Sequence, residues 1–371
     1  MDRSPRDSRV AAEAPVARTL GAREVILSEL SQETADAVTL VLKDPSGAPF
    51  VFLPGSFYTL VVTMPDGTIA RRAYSASTSR GTADSLALTC KRVEGGRVST
   101  FLNQGIEVGA RLGLLGPAGA FTVTPDPANR RRLVLIGGGS GITPLRAMIE
   151  ALLAVERGTE LVLIYGNRNP ESIIFREALD ALVAANPGRI RISYRVEEAP
   201  PGCFLTHGRL DKDGINAELD ALPWPLADVD GWYVCGPEPV RQGARELLLG
   251  RGVSENKLHE ERFSAAPRRA ATSTAVGVAS SLTIRRQGRP SGESAALLVP
   301  AGATILEAAS ASGESLPFSC AVGGCGACRV RLLAGEVVMD EPNCLSAEER
   351  ADGYILTCCG APVGPCTIEV P

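Results

Sequence analysis

Cys320-Ala-Val-Gly-Gly-Cys325-Gly-Ala-Cys328, with Cys358 further along, constrains this chain more than any other stretch of it. Thiols that must converge on one centre pull the backbone between them into a tight loop. Ala321, Gly323, Gly324, Gly326 and Ala327 are small enough to let it wrap closely and turn amide N–H groups toward the sulfurs. The spacing, C-x4-C-x2-C…C, is that of four thiolates holding a [2Fe-2S] cluster. A zinc ribbon is the plainer alternative, but it presents two C-x2-C knuckles and only one occurs here. Two neighbours compete for the fourth ligand, Cys358 and Cys359. A strand would turn only one of them inward, and spacing alone does not choose. Cys90, Cys203, Cys344 and Cys366 read as small buried hydrophobes.

Ten cysteines in 371 residues, four of them at metal-ligand spacing, fit a reducing compartment better than a disulfide framework. The first residues, 1–18, are rich in Arg, Asp, Ser, Pro and Ala and lack an apolar core, so they read as a disordered leader and not a secretion signal. A cytoplasmic location follows. The formal net charge of −4 offers no broad positive field, which argues against nucleic acid or an anionic membrane as partner. The longest apolar runs, such as 133–136 and 161–164, are strand-sized and far below the roughly 20 residues of a membrane span. Only two histidines exist, His207 and His259, too few for a Rieske centre beside another metal. Oxygen activation is therefore not expected in this chain itself.

The length predicts three domains. From 19 to 127, short Val, Leu, Ile and Thr runs punctuated by Pro-Gly, Asp-Gly and Gly-Gly turns predict an antiparallel β-barrel. From 128 to 263 the pattern becomes a buried strand at 133–136, a glycine loop, a helix at 144–156 and a strand at 161–165, the βαβ unit of a parallel sheet. Further helices are expected at 175–184 and 240–250, and strands at 190–195 and 231–235. An Ala-, Ser-, Thr- and Pro-rich tether at 264–281 leads to a small mixed sheet around one helix at 282–371.

Gly137-Gly-Gly-Ser-Gly-Ile-Thr-Pro144 follows the first strand of the parallel sheet. Thr143 can cap a helix and Pro144 suits its first position, so the helix N-terminus becomes a phosphate cradle. The next strand ends at Tyr165-Gly-Asn-Arg168, where an ordinary NAD site shows an acidic residue. Arg168 and Arg176 can instead meet a 2′-phosphate, a lean toward NADPH over NADH. Cys235-Gly236-Pro237 ends a later strand at the carboxyl edge where open α/β sheets bind ligands.

In the barrel, Arg71-Arg72-Ala73-Tyr74-Ser75 alternates along a strand, placing Arg72 and Tyr74 on one face and Ser75 on the other. A guanidinium takes a phosphate in a fork and a phenol stacks on a flavin. The order of Arg72-x-Tyr74-Ser75, Gly95-Gly96-x-x-Ser99, Gly139-Ser-Gly-Ile-Thr-Pro144, Cys235-Gly-Pro237, Glu261-Arg-Phe263 and the cluster loop resembles the ferredoxin-NADP reductase superfamily with a C-terminal plant-type ferredoxin domain. Within it the chain is most similar to the reductases of phenylacetyl-CoA epoxygenase and 3-ketosteroid hydroxylases. The resemblance implies a β-grasp fold for the last domain and FAD in the barrel, with Arg72 on its phosphates, Tyr74 stacked against the isoalloxazine, Ser75 near its reactive nitrogen and Ala73 among the cofactor-binding residues. Lys91, Gly96, Val98 and Ser99 would close on the bound groups. Gly139, Gly141 and Thr143 would hold the nicotinamide nucleotide, with Cys235 beside the nicotinamide ring; Arg168, Gly236 and Pro237 are further cofactor-binding candidates, and Ser75 and Cys235 the catalytic ones. It selects Cys358 as fourth ligand beside Cys320, Cys325 and Cys328. Cys359 replaces a common Gln there, and Ser56 stands where these enzymes often have Gln.

A nicotinamide gives two electrons together, a [2Fe-2S] centre accepts one, and a flavin does both, so the expected activity is an electron relay to a separate oxygenase or hydroxylase. A monomer is expected. The rival readings are a redox sensor or adaptor, which needs no throughput, and a stand-alone flavin reductase, which has no use for the four cysteines.

Overall fold

The computed structural model describes residues 22–78, 82–263, 279–287, 294–318, 320–324, 326–340 and 343–371. The expected leader, most of the tether and Cys325 lie outside the described residues. The first sheet contains β1 (Arg23–Thr34), β2 (Ala37–Lys43), β3 (Phe57–Thr63), β4 (Ile69–Ser75), β5 (Leu86–Lys91) and β6 (Arg111–Ala118), with α1 (Arg97–Gln104) between the last two. Its antiparallel order is β4-β3-β6-β1-β2-β5, and a bridge from Ala76 to Leu88 joins the two edges. Alternation explains the closure: Tyr58, Leu60 and Val62 of β3 fill the interior with Leu40, Leu42, Leu86 and Leu88, leaving Thr59 and Val61 outside.

The second sheet is parallel, in the order β10-β9-β8-β7-β11-β12. These strands are β7 (Arg132–Gly138), β8 (Glu160–Asn167), β9 (Ile190–Val196), β10 (Thr206–His207), β11 (Gly231–Cys235) and β12 (Leu258–Glu261). Leu133, Leu135, Leu161 and Leu163 face α2 (Ile142–Val155) and α3 (Arg176–Ala185) on one side. Val134, Ile136, Val162 and Ile164 face α4 (Lys212–Asp220) and α5 (Glu238–Gly250) on the other. A strand buried on both faces needs this unbroken apolar run. Phe121 and Val123 from the barrel side pack into the α2 face, joining the first two units.

The third sheet, β14-β13-β17-β15-β16, comprises β13 (Ser280–Arg286), β14 (Ala295–Val299), β15 (Arg329–Ala334), β16 (Tyr354–Leu356) and β17 (Cys366–Val370), with α6 (Ile305–Ala311) packed on it. Strand β13 begins inside the range expected for the tether. This unit sits on the barrel: Val61 and Leu115 enter its core. Arg71 pairs with Glu307 at 2.7 Å, and Thr59 Oγ1 donates to the Cys320 carbonyl at 2.6 Å.

Glu156 follows α2 fully buried, and it ties the connection before β7 to that helix. Its carboxylate accepts hydrogen bonds from the Asp126 amide at 3.1 Å, Asn129 at 3.0 Å, Thr159 at 2.6 Å and Arg131 Nε at 3.2 Å. Burial pushes its pKa up, but the bonds from Arg131, Thr159 and Asn129 outweigh that and hold it below the ordinary 4.5. The stabilisation is therefore present at neutral pH and lost as pH falls through the folded-state value. We expect Glu156→Ala to cost about 3 kcal/mol at pH 7. Calorimetric melting should show the deficit narrowing in acid below the carboxylate range.

Candidate active site and cluster loop

Strand register builds the site. Strands β11 and β12 pair so that Glu261 lies beside Cys235, which is fully buried at the carboxyl end of its strand. Ser75, the last residue of β4 and 2% exposed, donates from Oγ to Glu261 Oε2 at 3.4 Å. Burial pushes the Glu261 carboxyl up to about 8 against the opposing Ser75 bond. The Cys235 thiol is pushed well above its ordinary value by burial and by the neighbouring Glu261 charge. At neutral pH this is a cluster of protonated groups, suited to hold a hydrogen in place and unsuited to thiolate attack.

The glycine loop closes on the same spot. A Cβ on Gly141 would stand 2.2 Å from the Cys235 carbonyl oxygen, and one on Gly138 would stand 2.8 Å from Pro237 Cδ. Gly236 at φ +155° lies as close to Gly138 in return, so the contact demands glycine on both strands. Tyr165 Oη donates to the Gly139 carbonyl at 2.9 Å. Lys91 Nζ reaches to 3.8 Å from where a Gly139 Cβ would sit, and it pairs with Asp36 at 3.7 Å. Thr143 is not the helix cap, nor Pro144 the first helical residue. A short 3-10 turn at Gly139–Gly141 starts the helix two residues earlier at Ile142, and Thr143 Oγ1 donates back to the Ser140 carbonyl at 3.1 Å. The capping position of α2 is Gly141, with no side-chain cap, and the 3-10 turn already engages the Ile142 amide with the Gly139 and Ser140 carbonyls.

Of the two arginines expected near the nucleotide, Arg176 is engaged by Asp180 at 3.7 Å and lies over the Tyr194 ring. Arg168 is exposed and pairs with no carboxylate among the described residues. Beside it Asn167, 7% exposed, has no hydrogen-bond partner for either side-chain amide atom. An orphaned buried amide at the carboxyl end of a parallel strand fits a ligand that supplies the missing partners.

In the barrel, Arg72 donates only to the Arg71 carbonyl, at 2.7 Å, and meets no carboxylate among the described residues. Tyr74 Oη accepts a weak bond from the Cys90 thiol at 3.3 Å, and burial holds both groups neutral. Ala73 between them is exposed. Helix α1 begins after Gly96 without a side-chain cap, while Ser99 Oγ accepts from the Val93 amide at 3.0 Å and donates to the Gly96 carbonyl at 3.2 Å. Val98 is buried beneath this turn. A cleft of about 510 Å³ opens there, lined by Met64, Asp66, Gly95, Gly96, Arg97 and Phe101. An uncapped helix start and an unpaired guanidinium fit the diphosphate of a flavin, although Arg72 does not line the cleft beside α1.

At the cluster loop, Cys320 and Cys328 are 2% exposed and Cys358 8%. The Gly323 amide donates to Cys358 Sγ at 3.2 Å, and the Val322 and Gly324 amides point at Cys320 Sγ from 3.5 and 3.4 Å. The thiols of Cys320 and Cys328 lie against that of Cys358. Ala321 adopts φ +52°, a left-handed conformation that among the described non-glycine residues only Phe175 shares. Residues 357–359 form a turn, so strand alternation does not decide between the two cysteines; Cys358 is the one that gathers the loop. Cys359, also buried, lies 3.1 Å from where a Gly323 Cβ would stand. Of the remaining cysteines, Cys90 and Cys366 are buried as expected, but Cys344 is exposed and Cys203 half-buried, because both sit on loops.

Residues 24–123 match the oxidoreductase FAD-binding domain, 135–246 the oxidoreductase NAD-binding domain, and 289–363 the 2Fe-2S iron-sulfur cluster binding domain. One of the subunits of 1,2-phenylacetyl-CoA epoxidase from Escherichia coli (strain K12) is 32% identical over 91% of this chain and 94% of that protein. The chain belongs to the iron-sulfur flavoprotein reductases. The ferredoxin reductase component of 3-ketosteroid-9-alpha-monooxygenase from Mycolicibacterium smegmatis is 31% identical, over 94% of this chain and 96% of that one. Phthalate dioxygenase reductase shares the fold along the whole length, with a TM-score of 0.62 over 94% of this chain and 98% of that one at 23% identity.

For this reductase the residue that sequence reasoning passed over is Glu261. The Glu-Arg-Phe run is visible, but the role of its first residue depends on the pairing of β12 with β11, which no local pattern announces. A carboxyl with a pKa of about 8 is protonated at neutral pH, and ionising it would set a negative charge against Ser75 and Cys235, which would oppose any hydride delivered there. We expect flavin reduction by nucleotide to slow as pH rises through about 8, and Glu261→Gln to flatten that profile in stopped-flow measurements. Stability follows the same sign, because the folded state holds this proton more tightly than the unfolded chain: relative to the variant, the native protein should lose melting temperature as pH rises from the ordinary 4.5 to about 8.

Proposed function

We propose that this chain is the NAD(P)H-fed reductase of a multicomponent oxygenase, receiving hydride at Ser75, Cys235 and Glu261 and exporting single electrons from the cluster held by Cys320, Cys325, Cys328 and Cys358. The observation that carries it is the meeting of three units on one pair of strands: Ser75 at the end of β4 touches Glu261, and Thr59 of β3 holds the Cys320 carbonyl. Bound FAD supplies the conversion of a two-electron donor into one-electron steps, and the cluster takes those electrons singly.

The chain's own groups bind and orient. Arg72 forks a flavin phosphate, the open start of α1 with Gly96, Val98 and Ser99 takes the diphosphate, and Ala73 and Tyr74 flank the ring system. Ser75 and Glu261 hold a hydrogen at the edge where hydride is received. Gly139, Gly141, Gly236 and Pro237 let the nucleotide approach the backbone. Thr143 braces the loop through Ser140, and Lys91 adds positive charge above it. Arg168, with the Asn167 amide, meets the 2′-phosphate end, which favours NADPH. The partner is a separate oxygenase, in keeping with the relative from Mycolicibacterium smegmatis, which is by name one component of a monooxygenase. No helix among the described residues is long and apolar enough to cross a membrane. Ten cysteines, four of them at metal-ligand spacing, suit a reducing compartment; we place the protein in the cytoplasm, as a monomer.

Anaerobic titration with NADPH and then NADH, followed by visible spectroscopy, tests this reading. Bleaching of flavin and iron-sulfur bands together is expected, with NADPH the better donor. Arg168→Ala should raise KM for NADPH about tenfold, the loss of one charge-assisted contact, and leave NADH unaffected. A bleached flavin beside an inert cluster would refute the relay.

A further inference from the structure

Thr59 sits on the outer face of the barrel, 1% exposed, between two domains. Its neighbour across the strand pair is Ala73, the residue between Arg72 and Tyr74. Its hydroxyl donates to the carbonyl of Cys320, 261 residues away, at 2.6 Å in a buried contact. Around it the contact is apolar, formed by Val61 and Leu115 against the ferredoxin-like core. At the rim, Arg71 and Glu307 pair at 2.7 Å, with side chains 15% and 22% exposed. A valine would satisfy the apolar packing as well as threonine. The hydroxyl adds direction, and once buried it would cost stability without its acceptor.

We propose that Thr59 is a positioning residue for the flavin-to-cluster electron step. The bond fixes a cluster ligand in register with Ala73, and the Arg71–Glu307 pair clamps the rim of the same contact. Tunnelling rates fall exponentially with distance, so a ligand held by one directional bond sets the rate more tightly than apolar contact, which permits sliding. In each transfer one electron leaves the reduced flavin and one arrives at the oxidised cluster. No covalent bond forms or breaks, and no proton crosses the interface. This role rests on the relay reading above.

The test uses the full-length holoprotein mixed anaerobically with NADPH, reading flavin bleaching by stopped flow and the reduced-cluster signal by freeze-quench electron paramagnetic resonance. Thr59→Val should slow cluster reduction relative to flavin reduction about fivefold, the population shift of one hydrogen bond of ordinary net strength. Thr59→Ser should restore the native ratio, which a purely packing role would not do. The paired variant Arg71→Gln with Glu307→Gln loosens the rim without touching the cluster loop and should slow the same step. If Thr59→Val assembles without its cluster, a native ratio in this paired variant overturns the proposal. A native ratio in a cluster-loaded Thr59→Val overturns it directly. A wild-type protein whose flavin bleaches while its cluster stays oxidised would overturn the relay and this role together.

Discussion

The two strands β3 and β4 are the wall that all three units share, and the rest of the molecule is arranged around what their alternation allows. Tyr58, Leu60 and Val62 point inward and hold the barrel. Thr59, Val61 and Arg71 point outward and carry the ferredoxin-like unit. Ser75, at the far end of the outer row, meets Glu261 of the nucleotide-binding unit. At the rise of an extended strand, Arg71 to Ser75 covers about 14 Å. The contact with the cluster-bearing unit and the proposed hydride site are thus separated by little more than the length of a flavin ring system. Their spacing is held by a hydrogen-bonded sheet and not by loops, which is the more rigid way to keep redox centres in order.

What could be read from the sequence is what chemistry forces into a local pattern. Four thiols around one cluster need a fixed spacing and small residues between them, and a diphosphate over a helix start needs glycines at a strand end. The barrel and the parallel sheet followed from their runs of two different periods. What escaped depends on partners distant in sequence. Strand β17 is the centre of the third sheet, yet it is a five-residue segment whose neighbours β13 and β15 lie far upstream. Helix α1 is eight residues inside a run of strands, and its importance comes from an open N-terminus and not from its pattern. Thr143 looked like a cap because Pro144 follows it, but the 3-10 turn before it satisfies the helix start first. Glu261 belongs to the same class: its environment is made by β11 and β4, and a lone Glu near a strand end carries no sign of it.

The two ends of the relay solve opposite electrostatic problems with different means. At the proposed hydride site, negative charge would have to be kept away, and burial does this by holding Glu261 and Cys235 protonated. Where thiolates would gather around a cluster, negative charge would be present, and the amides of Val322, Gly323 and Gly324 turn toward the sulfurs of Cys320 and Cys358. A carboxyl at the cluster, or a nest of amides at Glu261, would reverse both effects.

The wall between them has to separate these environments without adding a third. Thr59, Val61, Ala73 and Leu115 on the shared face carry no ionisable group, and the one charge in the row, Arg71, is tied to Glu307 at the rim. A contact of that composition offers no chain of titratable groups along which a proton could follow an electron. On the proposed relay, protons that accompany hydride chemistry would stay on the side of Ser75 and Glu261, and what reaches Cys320 through the Thr59 contact would be charge alone. On that proposal, splitting hydride into a retained proton and exported electrons would follow from where the polar residues stop along two strands.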